Sequence, residues 1–160
     1  MIHIRQATEK DVDILFDLIM AIARFHHQEE YVITSKEEML QSGFMENPKF
    51  GALIAEFEGQ AVGYLSYTWN YSIWGGCEYM NLDDLFVMSE YRSKKVGNQL
   101  MQQAKNLCRQ QNIGFIKWEV EKDNDRAIGF YKNLGAQMAE KGIFKWDLST
   151  ADFRTNEVVS

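Results

Sequence analysis

The sequence predicts a mixed α/β fold: a mostly antiparallel central sheet of about six to seven strands, flanked by about four helices. Runs in which apolar and polar residues alternate are typical of strands, and runs with apolar residues every three or four positions are typical of helices; the chain contains both. Some predicted strands are joined by tight turns and others by helices, so antiparallel and parallel neighbours are both expected. With 160 residues, one proline and no Gly- or Ser-rich linker, we expect one domain, residues 1–160.

Local signals place the elements along the chain. Thr8 begins one predicted helix because its hydroxyl can cap it, and Thr34 and Ser35 offer two overlapping caps for a second helix. Gly135 ends a helix because it can adopt a left-handed conformation. Glu58-Gly59 is a turn signal between two alternating runs. The predicted order is a strand at 2–5, helices ending near 25 and 43, strands at 50–57, 61–69 and 80–88, a helix at 94–111, a strand at 115–120, a helix around 127–134 and a last strand at 143–148, with an optional strand at 137–140.

Composition narrows the classes of partner. The chain has 17 basic and 23 acidic residues, a net charge of −6, whereas a nucleic-acid-binding surface needs an excess of basic residues, so no nucleic acid partner is expected. The charge mildly favours cationic small molecules, although many proteins are equally acidic for other reasons. The cysteines and histidines show no metal-site spacing. Since no apolar leader or membrane-length apolar run is present, we expect a cytoplasmic protein without a membrane contact.

Two adjacent aspartates interrupt the otherwise apolar strand predicted from Met80 to Met88. Consecutive strand residues point to opposite faces, so Asp83 and Asp84 are expected to leave the sheet on both sides. A buried carboxylate that lacks a partner is costly, so the pair either lies at a wet edge of the sheet or has a function. These residues alone leave both interpretations open.

Two further segments could carry chemistry. The strand-to-helix junction at 89–98 contains Arg92, Lys94 and Lys95. A helix N-terminus with positive charge nearby suits a phosphate, but a solvated basic patch would have the same residues. Tyr131 lies on the apolar stripe of its predicted helix, where a core tyrosine is the ordinary interpretation.

Together these segments form a longer pattern. It consists of Leu85-Phe86-Val87 at a strand end, Tyr91-Arg92 followed by Gly97, then Asn124, Phe130-Tyr131 and Gly135-Ala136. This pattern resembles the GNAT superfamily of N-acetyltransferases over nearly the whole chain. The closer likeness is to the spermidine/spermine (diamine) N-acetyltransferases. They share Asp84-x-Phe86-Val87-Met88-Ser89-x-Tyr91-Arg92, Ala55-Glu56, Val62-Gly63, Trp74 and Phe130-Tyr131-Lys132.

The resemblance implies a GNAT fold and direct transfer of an acetyl group from acetyl-CoA to a primary amine of a small cationic molecule: a diamine, a polyamine or a lysine-like amine. It implies that Tyr131 protonates the CoA sulfur, that Asp83 deprotonates the amine through water, and that Asp84 helps to bind the substrate. Other implied substrate-binding residues are Glu29, Glu30 and Trp74, although the two glutamates also fit a solvated loop; implied CoA-binding residues are Phe86, Val87, Arg92, Ser93, Lys94, Lys95, Val96, Gly97, Asn98, Asn124 and Tyr131. A homodimer whose C-terminal segments contribute to the interface is also implied.

One position departs from the family pattern. The pyrophosphate loop of the family is Arg/Gln-x-x-Gly-x-Gly/Ala; Lys95 occupies the place of its first glycine, whereas Gly97 keeps the second. The lysine could pair with a phosphate or crowd the loop. Ser72 stands where polyamine enzymes carry an acid, which argues against a long polyamine and leaves a shorter diamine or a lysine-like amine open. The alternative functions are a peptide or protein amino-group acetyltransferase and a non-catalytic acetyl-CoA- or polyamine-binding module.

Overall fold

Within residues 1–149, which the computed structural model describes, five strands form one sheet in which they lie side by side in chain order. The strands are β1 (Ile2–Gln6), β2 (Gly51–Phe57), β3 (Gln60–Ser72), β4 (Cys77–Val87) and β5 (Ile116–Lys117). The three pairs formed by β1 to β4 are antiparallel, and β5 pairs parallel with β4. This arrangement confirms the predicted mixed, mostly antiparallel sheet.

Four α-helices accompany the sheet in the described part of the chain, which agrees with the predicted number. They are α1 (Val12–Phe25), α2 (Lys36–Phe44), α3 (Val96–Gln110) and α4 (Asp125–Asn133), and 3₁₀ turns lie at Glu9–Asp11, Glu29–Tyr31 and Ser89–Lys94. The chain divides into two compact units. The first, Met1–Trp118, holds the sheet and α1 to α3, and the second begins at Glu119 and holds α4. The single domain stays a prediction.

In the first unit, helices pack on both faces of the sheet. On one face, α1 and α2 share a buried cluster with Ile54, Tyr64 and Phe86. On the other face, the Cys108 sulfur of α3 lies 4.0 Å from the Met80 sulfur of β4. Burial of each large apolar side chain contributes about 1.5–3 kcal/mol, so the sheet is held from both sides. β4 therefore carries side chains into two cores.

The sheet has slightly fewer strands than predicted. Residues 143–148 form no strand in the described part of the chain, residues 137–140 form none either, and β5 is shorter than the predicted strand at 115–120. An alternating pattern shows only that a segment suits a strand, whereas a strand forms where a neighbour pairs with its backbone groups. The prediction of a last strand at 143–148 is therefore wrong.

Capping residues locate the helix ends where the sequence predicts them. Thr8 and Asp11 form a reciprocal capping box at the 3₁₀ turn that leads into α1. The Ser35 hydroxyl accepts a hydrogen bond from the backbone N–H of Glu38 at the start of α2. Gly135 follows the end of α4 with φ +98°, a left-handed conformation that glycine adopts readily.

Candidate active site

β4 contains a β-bulge at its two adjacent aspartates. Ser66 of β3 pairs with Asp84 and the next residue, Tyr67, pairs with Leu82, so Asp83 is the extra residue of the bulge. A bulge shifts the alternation of side chains along a strand. As a result, Met80 before the bulge faces α3, whereas Asp84 and Phe86 after it face α1. The sequence predicts a regular strand here, and the bulge turns Asp84 toward α1.

Asp84 lines a pocket of about 230 Å³ in the first unit. The pocket lies between β4, the C-terminal half of α1 and the loop that follows α1. Its lining residues are Ile19, Ile22, Ala23, His26, Gln28, Tyr31, Val32 and Asp84. Asp84 supplies the one carboxylate of this lining, and much of the remaining wall is aliphatic. Such a pocket suits a ligand that combines aliphatic carbon atoms with a positive charge.

A buried tyrosine of β3 holds the Asp84 carboxylate. The Tyr64 hydroxyl donates a hydrogen bond to Oδ2 of Asp84 at 2.9 Å, and Tyr64 is 0% exposed. Burial raises the pKa of Asp84, while the Tyr64 hydrogen bond and the charge of His26 partly oppose the rise. Burial, together with the negative charge of Asp84, also raises the pKa of the Tyr64 phenol far above its ordinary value. The phenol therefore keeps its proton and remains a donor to Asp84.

Asp83 has a different environment from its neighbour. It is exposed, and its Oδ1 accepts a hydrogen bond from the Asn81 side-chain amide at 2.9 Å. Asp84 lines the pocket, whereas Asp83 does not. Two carboxylates in unlike surroundings can have different roles, one as a charge within a pocket and one as a group in contact with solvent.

The sheet opens between β4 and β5. β5 pairs with Met80 and Asn81, and within the described residues no strand continues that edge of β4 from Leu82 onward. An edge of this kind presents backbone N–H and C=O groups that an extended ligand can bind. The opening therefore offers a main-chain binding site along the second half of β4.

The register identifies which residues present their backbone at the opening. The Met88 N–H donates to the Val62 carbonyl of β3, so Met88 directs its backbone groups toward β3. Backbone groups of successive strand residues point to alternate edges. Those of Leu85 and Val87 consequently point to the open edge, whereas those of Phe86 point to β3.

The junction before α3 is a tight turn followed by a helix start. Lys95 adopts the left-handed conformation, with φ +60° and ψ +29°, immediately before α3. Glycine adopts this conformation at little cost, which explains why a glycine suits this position. No side chain of the described residues caps α3, and the helix begins with a hydrogen bond from Gln99 N–H to the Lys95 carbonyl. The backbone N–H groups of the first turn can therefore bind an anion.

Most side chains of this junction are open to solvent. Val96 is fully buried and anchors the start of α3 in the core. The Lys94 ammonium lies 5.3 Å from the ring centroid of Phe57, a cation–π distance. The predicted anion-binding residues that are exposed are Ser93, Lys94, Lys95 and Asn98, while Gly97 is half-buried.

Arg92 links this junction to β4 and to α1. Its Nε donates a hydrogen bond to the Val87 carbonyl at 2.9 Å, and its guanidinium carbon lies 4.7 Å from the ring centroid of Phe25. The first contact occupies the Val87 carbonyl and leaves the Val87 N–H at the open edge. Arg92 therefore has a structural task in addition to the predicted contact with CoA.

The other predicted substrate-binding residues of the first unit do not line the pocket. Glu29 and Glu30 are exposed in the 3₁₀ turn that follows the lining residue Gln28. Trp74 is fully exposed in the turn between β3 and β4. In the same turn, the Ser72 hydroxyl accepts a backbone hydrogen bond at 3.0 Å. The structure thus brings Asp84 into the pocket and leaves Glu29, Glu30 and Trp74 on the surface.

Tyr131 and Asn124 belong to the second unit. The Asn124 side-chain oxygen accepts a hydrogen bond from the Ala127 N–H at 3.2 Å and caps α4. Tyr131 lies on α4, is half-buried, and its ring contacts that of Phe130 at 5.3 Å between centroids. The cap fixes the start of the helix that carries Tyr131.

The sequence analysis gave no site role to Tyr64, His26 or Leu85, although Leu85 belongs to the motif at the end of β4. The sequence does hint at a partner such as Tyr64, because a carboxylate in an apolar strand needs a hydrogen-bond donor, and a side chain of a neighbouring strand is the nearest one available. Identifying the donor requires the register of β3 on β4, and that register contains the bulge. A backbone role for Leu85 was missed for the same reason, because the register decides to which edge its backbone points.

Residues 1–149 contain no group of three His, Cys, Asp or Glu side chains that could hold a metal ion. No helix among them has the length and apolar character needed to cross a membrane.

Comparisons with known proteins identify sequence relatives. The model of the acetyltransferase (GNAT) family matches residues 12–136. The thialysine N-epsilon-acetyltransferase of Mus musculus is 33% identical over 148 residues, which cover 84% of each chain. The protein of the same name from Bos taurus is 32% identical over 149 residues, 85% of this chain and 84% of the relative. The spermidine/spermine N(1)-acetyltransferase-like protein 1 of Homo sapiens is 25% identical over 84% of this chain but 20% of that protein.

Solved structures with low sequence identity share the fold. An aminoglycoside acetyltransferase from an uncultured soil metagenomic sample matches with a TM-score of 0.80 at 17% identity, covering 92% of this chain and 97% of that one. A possible acetyltransferase from Clostridium difficile 630 matches with a TM-score of 0.79 at 22% identity, covering 93% and 99%. At such identities the likeness concerns the fold alone.

Proposed function

Because this chain belongs to the GNAT family of acetyltransferases, we propose that it transfers an acetyl group from acetyl-CoA to a primary amine of a small cationic molecule. One observation carries the amine part of the proposal: Asp84 places a carboxylate in a small pocket of which half the lining residues are aliphatic. A carboxylate there favours an ammonium through charge-assisted hydrogen bonds. The relatives named for thialysine acetylation support a lysine-like amine or a short diamine as the first choice.

The open edge of β4 supports binding of the pantetheine arm of acetyl-CoA. We assign this contact to the backbone groups of Leu85 and to the N–H of Val87, which point away from β3. Phe86, which the family resemblance implies as a CoA-binding residue, directs its backbone groups toward β3 and is buried beside Tyr64. Its proposed contribution is therefore to hold the edge in place.

The start of α3 supports binding of the pyrophosphate. The N–H groups of Val96, Gly97 and Asn98 belong to the first helical turn, where backbone donors have no acceptor within the helix. Lys94 and Lys95 add positive charge at the same place, and both are exposed. Acetyl-CoA would supply the activated acetyl group as a thioester, and these residues would hold and orient it.

The proposed chemistry needs one proton acceptor and one proton donor. Asp84 holds the ammonium, and Asp83, which is exposed, accepts a proton from it through water. The amine nitrogen then forms a bond to the thioester carbonyl carbon and releases its second proton to solvent as the carbon–sulfur bond breaks. Tyr131 donates a proton to the departing sulfur and regains one from solvent. Each transfer typically contributes about 10²–10⁴-fold to the rate.

We further propose one catalytic domain that acts as a cytoplasmic homodimer. The family match spans residues 12–136, which supports one domain. Cys77 and Cys108 are free thiols, which is typical of a reducing compartment. The dimer is supported by exposed apolar side chains near the C-terminus: Ile143, Phe144, Trp146 and Leu148.

Release of free thiol from acetyl-CoA tests the function directly. The assay would compare thialysine, lysine, putrescine, spermidine and a peptide as acceptors, and we expect the fastest turnover with thialysine, lysine or putrescine. Measurable CoA binding without turnover of any amine would indicate the non-catalytic binding module instead. Turnover confined to the peptide would indicate the peptide amino-group acetyltransferase.

A further inference from the structure

We propose that Tyr64 is a positioning residue for the substrate ammonium: its hydroxyl fixes the Asp84 carboxylate so that Oδ1 is presented to the pocket. This inference rests on the proposed function, because it assigns a new residue to the same amine site. Tyr64 itself does not line the pocket and acts through Asp84.

The geometry follows from the pairing of β3 with β4. Tyr64 pairs with Phe86, and Ser66 pairs with Asp84, so Tyr64 and Asp84 are diagonal neighbours on one face of the sheet. The bulge at Asp83 brings Asp84 to that face; in a regular strand Asp84 would face α3, as Met80 does. The hydroxyl then reaches Oδ2 of Asp84 at 2.9 Å.

The chemistry of the pair suits a fixed, ionised acceptor. A single donor on Oδ2 restrains rotation of the carboxylate and leaves Oδ1 for the ligand. The phenol remains protonated because burial and the charge of Asp84 oppose its ionisation. The same hydrogen bond favours the charged form of Asp84 against the effect of burial. Tyr64 therefore fixes the orientation of the Asp84 carboxylate, which binds the ammonium, and favours its ionised form.

A purely structural interpretation gives the pair a different purpose. A buried phenol needs a hydrogen-bond partner, and Asp84 could serve only to supply one. A neutral acceptor would do so without the cost of partly burying a carboxylate. The carboxylate also lines a pocket with His26, Gln28 and Tyr31 among its walls, which the structural interpretation leaves unexplained.

Tyr67 offers a matched control on the same strand. It is 4% exposed, its hydroxyl lies 3.5 Å from the Gln6 side-chain amide, and its ring does not line the pocket. Tyr64→Phe and Tyr67→Phe each remove one buried hydroxyl from β3. A loss of general stability would affect both variants, whereas a loss of positioning would affect Tyr64→Phe alone.

Calorimetry would measure binding of thialysine and putrescine to the enzyme in the presence of saturating CoA. We expect Tyr64→Phe to raise the amine Kd about tenfold, as the loss of a hydrogen bond to a charged group would, and to leave the Kd of CoA unchanged. Tyr67→Phe should leave both values unchanged. An amine Kd for Tyr64→Phe within twofold of the wild-type value would overturn the proposal, as would a wild-type protein that binds neither amine.

A second measurement uses the unaltered protein and does not depend on folding of a variant. With tyrosine labelled at the ring carbon that bears the hydroxyl, amine binding should shift the NMR signal of Tyr64 and leave that of Tyr67 in place. An unshifted Tyr64 signal at saturating amine would contradict the proposal. If Tyr64→Phe weakens amine binding but the wild-type protein releases no thiol from acetyl-CoA with any amine, this inference would stand and the proposed acetyl transfer would be wrong.

Discussion

At the scale of single residues, the adjacent aspartates of β4 differ in solvent contact, and this difference separates their expected roles. Asp84→Asn removes the charge from the pocket but keeps an oxygen that can accept from Tyr64. We expect the KM for the amine to rise about tenfold or more, with little change in the KM for acetyl-CoA. Asp83→Asn should instead lower kcat by about 10²-fold or more. Steady-state kinetics would measure both, and a large kcat loss in Asp84→Asn alone would make Asp84 the proton acceptor.

The raised pKa of Asp84 also predicts a cost in stability. Its carboxylate interacts with Tyr64 and His26, Tyr31 lines the same pocket, and Asp83 lies beside it on the strand. Because the pKa of Asp84 is higher in the folded than in the unfolded chain, protonation of Asp84 favours the folded state. This stabilisation is complete below the unfolded pKa and is lost as pH rises through the folded pKa.

Asp84→Asn should therefore be more stable than the wild type at pH 7, by about 0.5–2 kcal/mol, because it removes a partly buried charge. The difference should shrink toward the unfolded pKa of about 3.9. Urea unfolding at pH 7 and near pH 4 measures it. A variant that is less stable than the wild type at pH 7 would contradict the expected cost of the charge.

Lys95 combines a conformation that suits glycine with a charge that suits a phosphate. Its backbone is already left-handed, with φ +60°, so replacement by glycine need not change the turn. Lys95→Gly should raise the free energy of unfolding by about 1 kcal/mol, because the left-handed conformation costs a lysine more than a glycine. It should also raise the Kd of acetyl-CoA severalfold at low salt and less at high salt, because a positive charge is lost.

Lys95→Gln separates the two effects. It removes the charge but keeps a side chain, so it should weaken acetyl-CoA binding as Lys95→Gly does without the gain in stability. Thermal unfolding and calorimetric titration at two salt concentrations would compare the three proteins. Tighter acetyl-CoA binding by Lys95→Gly would show that the lysine side chain crowds the loop.

At the scale of elements, one charged network joins β1, β2 and the 3₁₀ turn before α1. The Arg5 guanidinium makes two hydrogen bonds to Asp11, at 2.8 and 2.9 Å, and one to Glu56 at 3.0 Å. Asp11 is 4% exposed and also accepts from the Thr8 N–H. The hydrogen bonds from Arg5 lower the pKa of Asp11. The network therefore holds the start of α1 against the edge of the sheet.

Removal of this buried carboxylate should be costly. Asp11→Asn leaves Arg5 without its bidentate partner, and we expect a loss of about 3 kcal/mol in unfolding free energy at pH 7. Because the folded pKa of Asp11 is depressed, its contribution is present above the unfolded pKa, about 3.9, and is lost as pH falls through the folded pKa. The difference in unfolding free energy between Asp11→Asn and the wild type should therefore decrease at acidic pH.

An exposed ion pair provides the control for Asp11. Asp13 binds Lys36 at 3.0 Å, but its side chain is 79% exposed. Asp13→Asn should cost less than about 1 kcal/mol, since solvent screens an exposed pair. Urea unfolding from pH 3 to pH 7 would compare the two variants. Equal losses at pH 7 would mean that burial adds nothing to the Asp11 network.

Several elements could be predicted from the sequence because their signals are local. Thr8 caps the 3₁₀ turn before α1, Ser35 caps α2, and Gly135 ends α4 through its own backbone conformation. The last predicted strand, at 143–148, was wrong because strand formation depends on a partner segment that a local pattern does not identify.

The candidate site could be predicted only in part, for the same reason. Asp84 is conspicuous in the sequence as an acid among apolar residues, so it could be proposed as functional. Its partner Tyr64 and the direction of its side chain depend on the bulge at Asp83, which is a property of two strands packed between two layers of helices. A residue that acts through a neighbour in another strand requires the register before it can be identified.

At the scale of the whole molecule, the residues near the C-terminus raise the question of a partner. No residue of α4 is buried, and several large apolar side chains that follow it are exposed. Phe144 is 103% exposed and Trp146 is 88% exposed. Large apolar side chains clustered in one short segment are typical of an interface, because their contact with water is unfavourable.

We therefore expect sedimentation equilibrium to give twice the chain mass of 18.6 kDa. Aromatic residues at the centre of an interface often contribute roughly 2 kcal/mol or more each. The double variant Phe144→Ser/Trp146→Ser should accordingly weaken the dimer at least about 100-fold, toward a monomer at micromolar concentration. Ile33→Ser alters an apolar residue of the first unit that is 76% exposed, and it should leave the dimer intact. A wild-type monomer, or a dimer that tolerates the double variant, would show that this segment is not the interface.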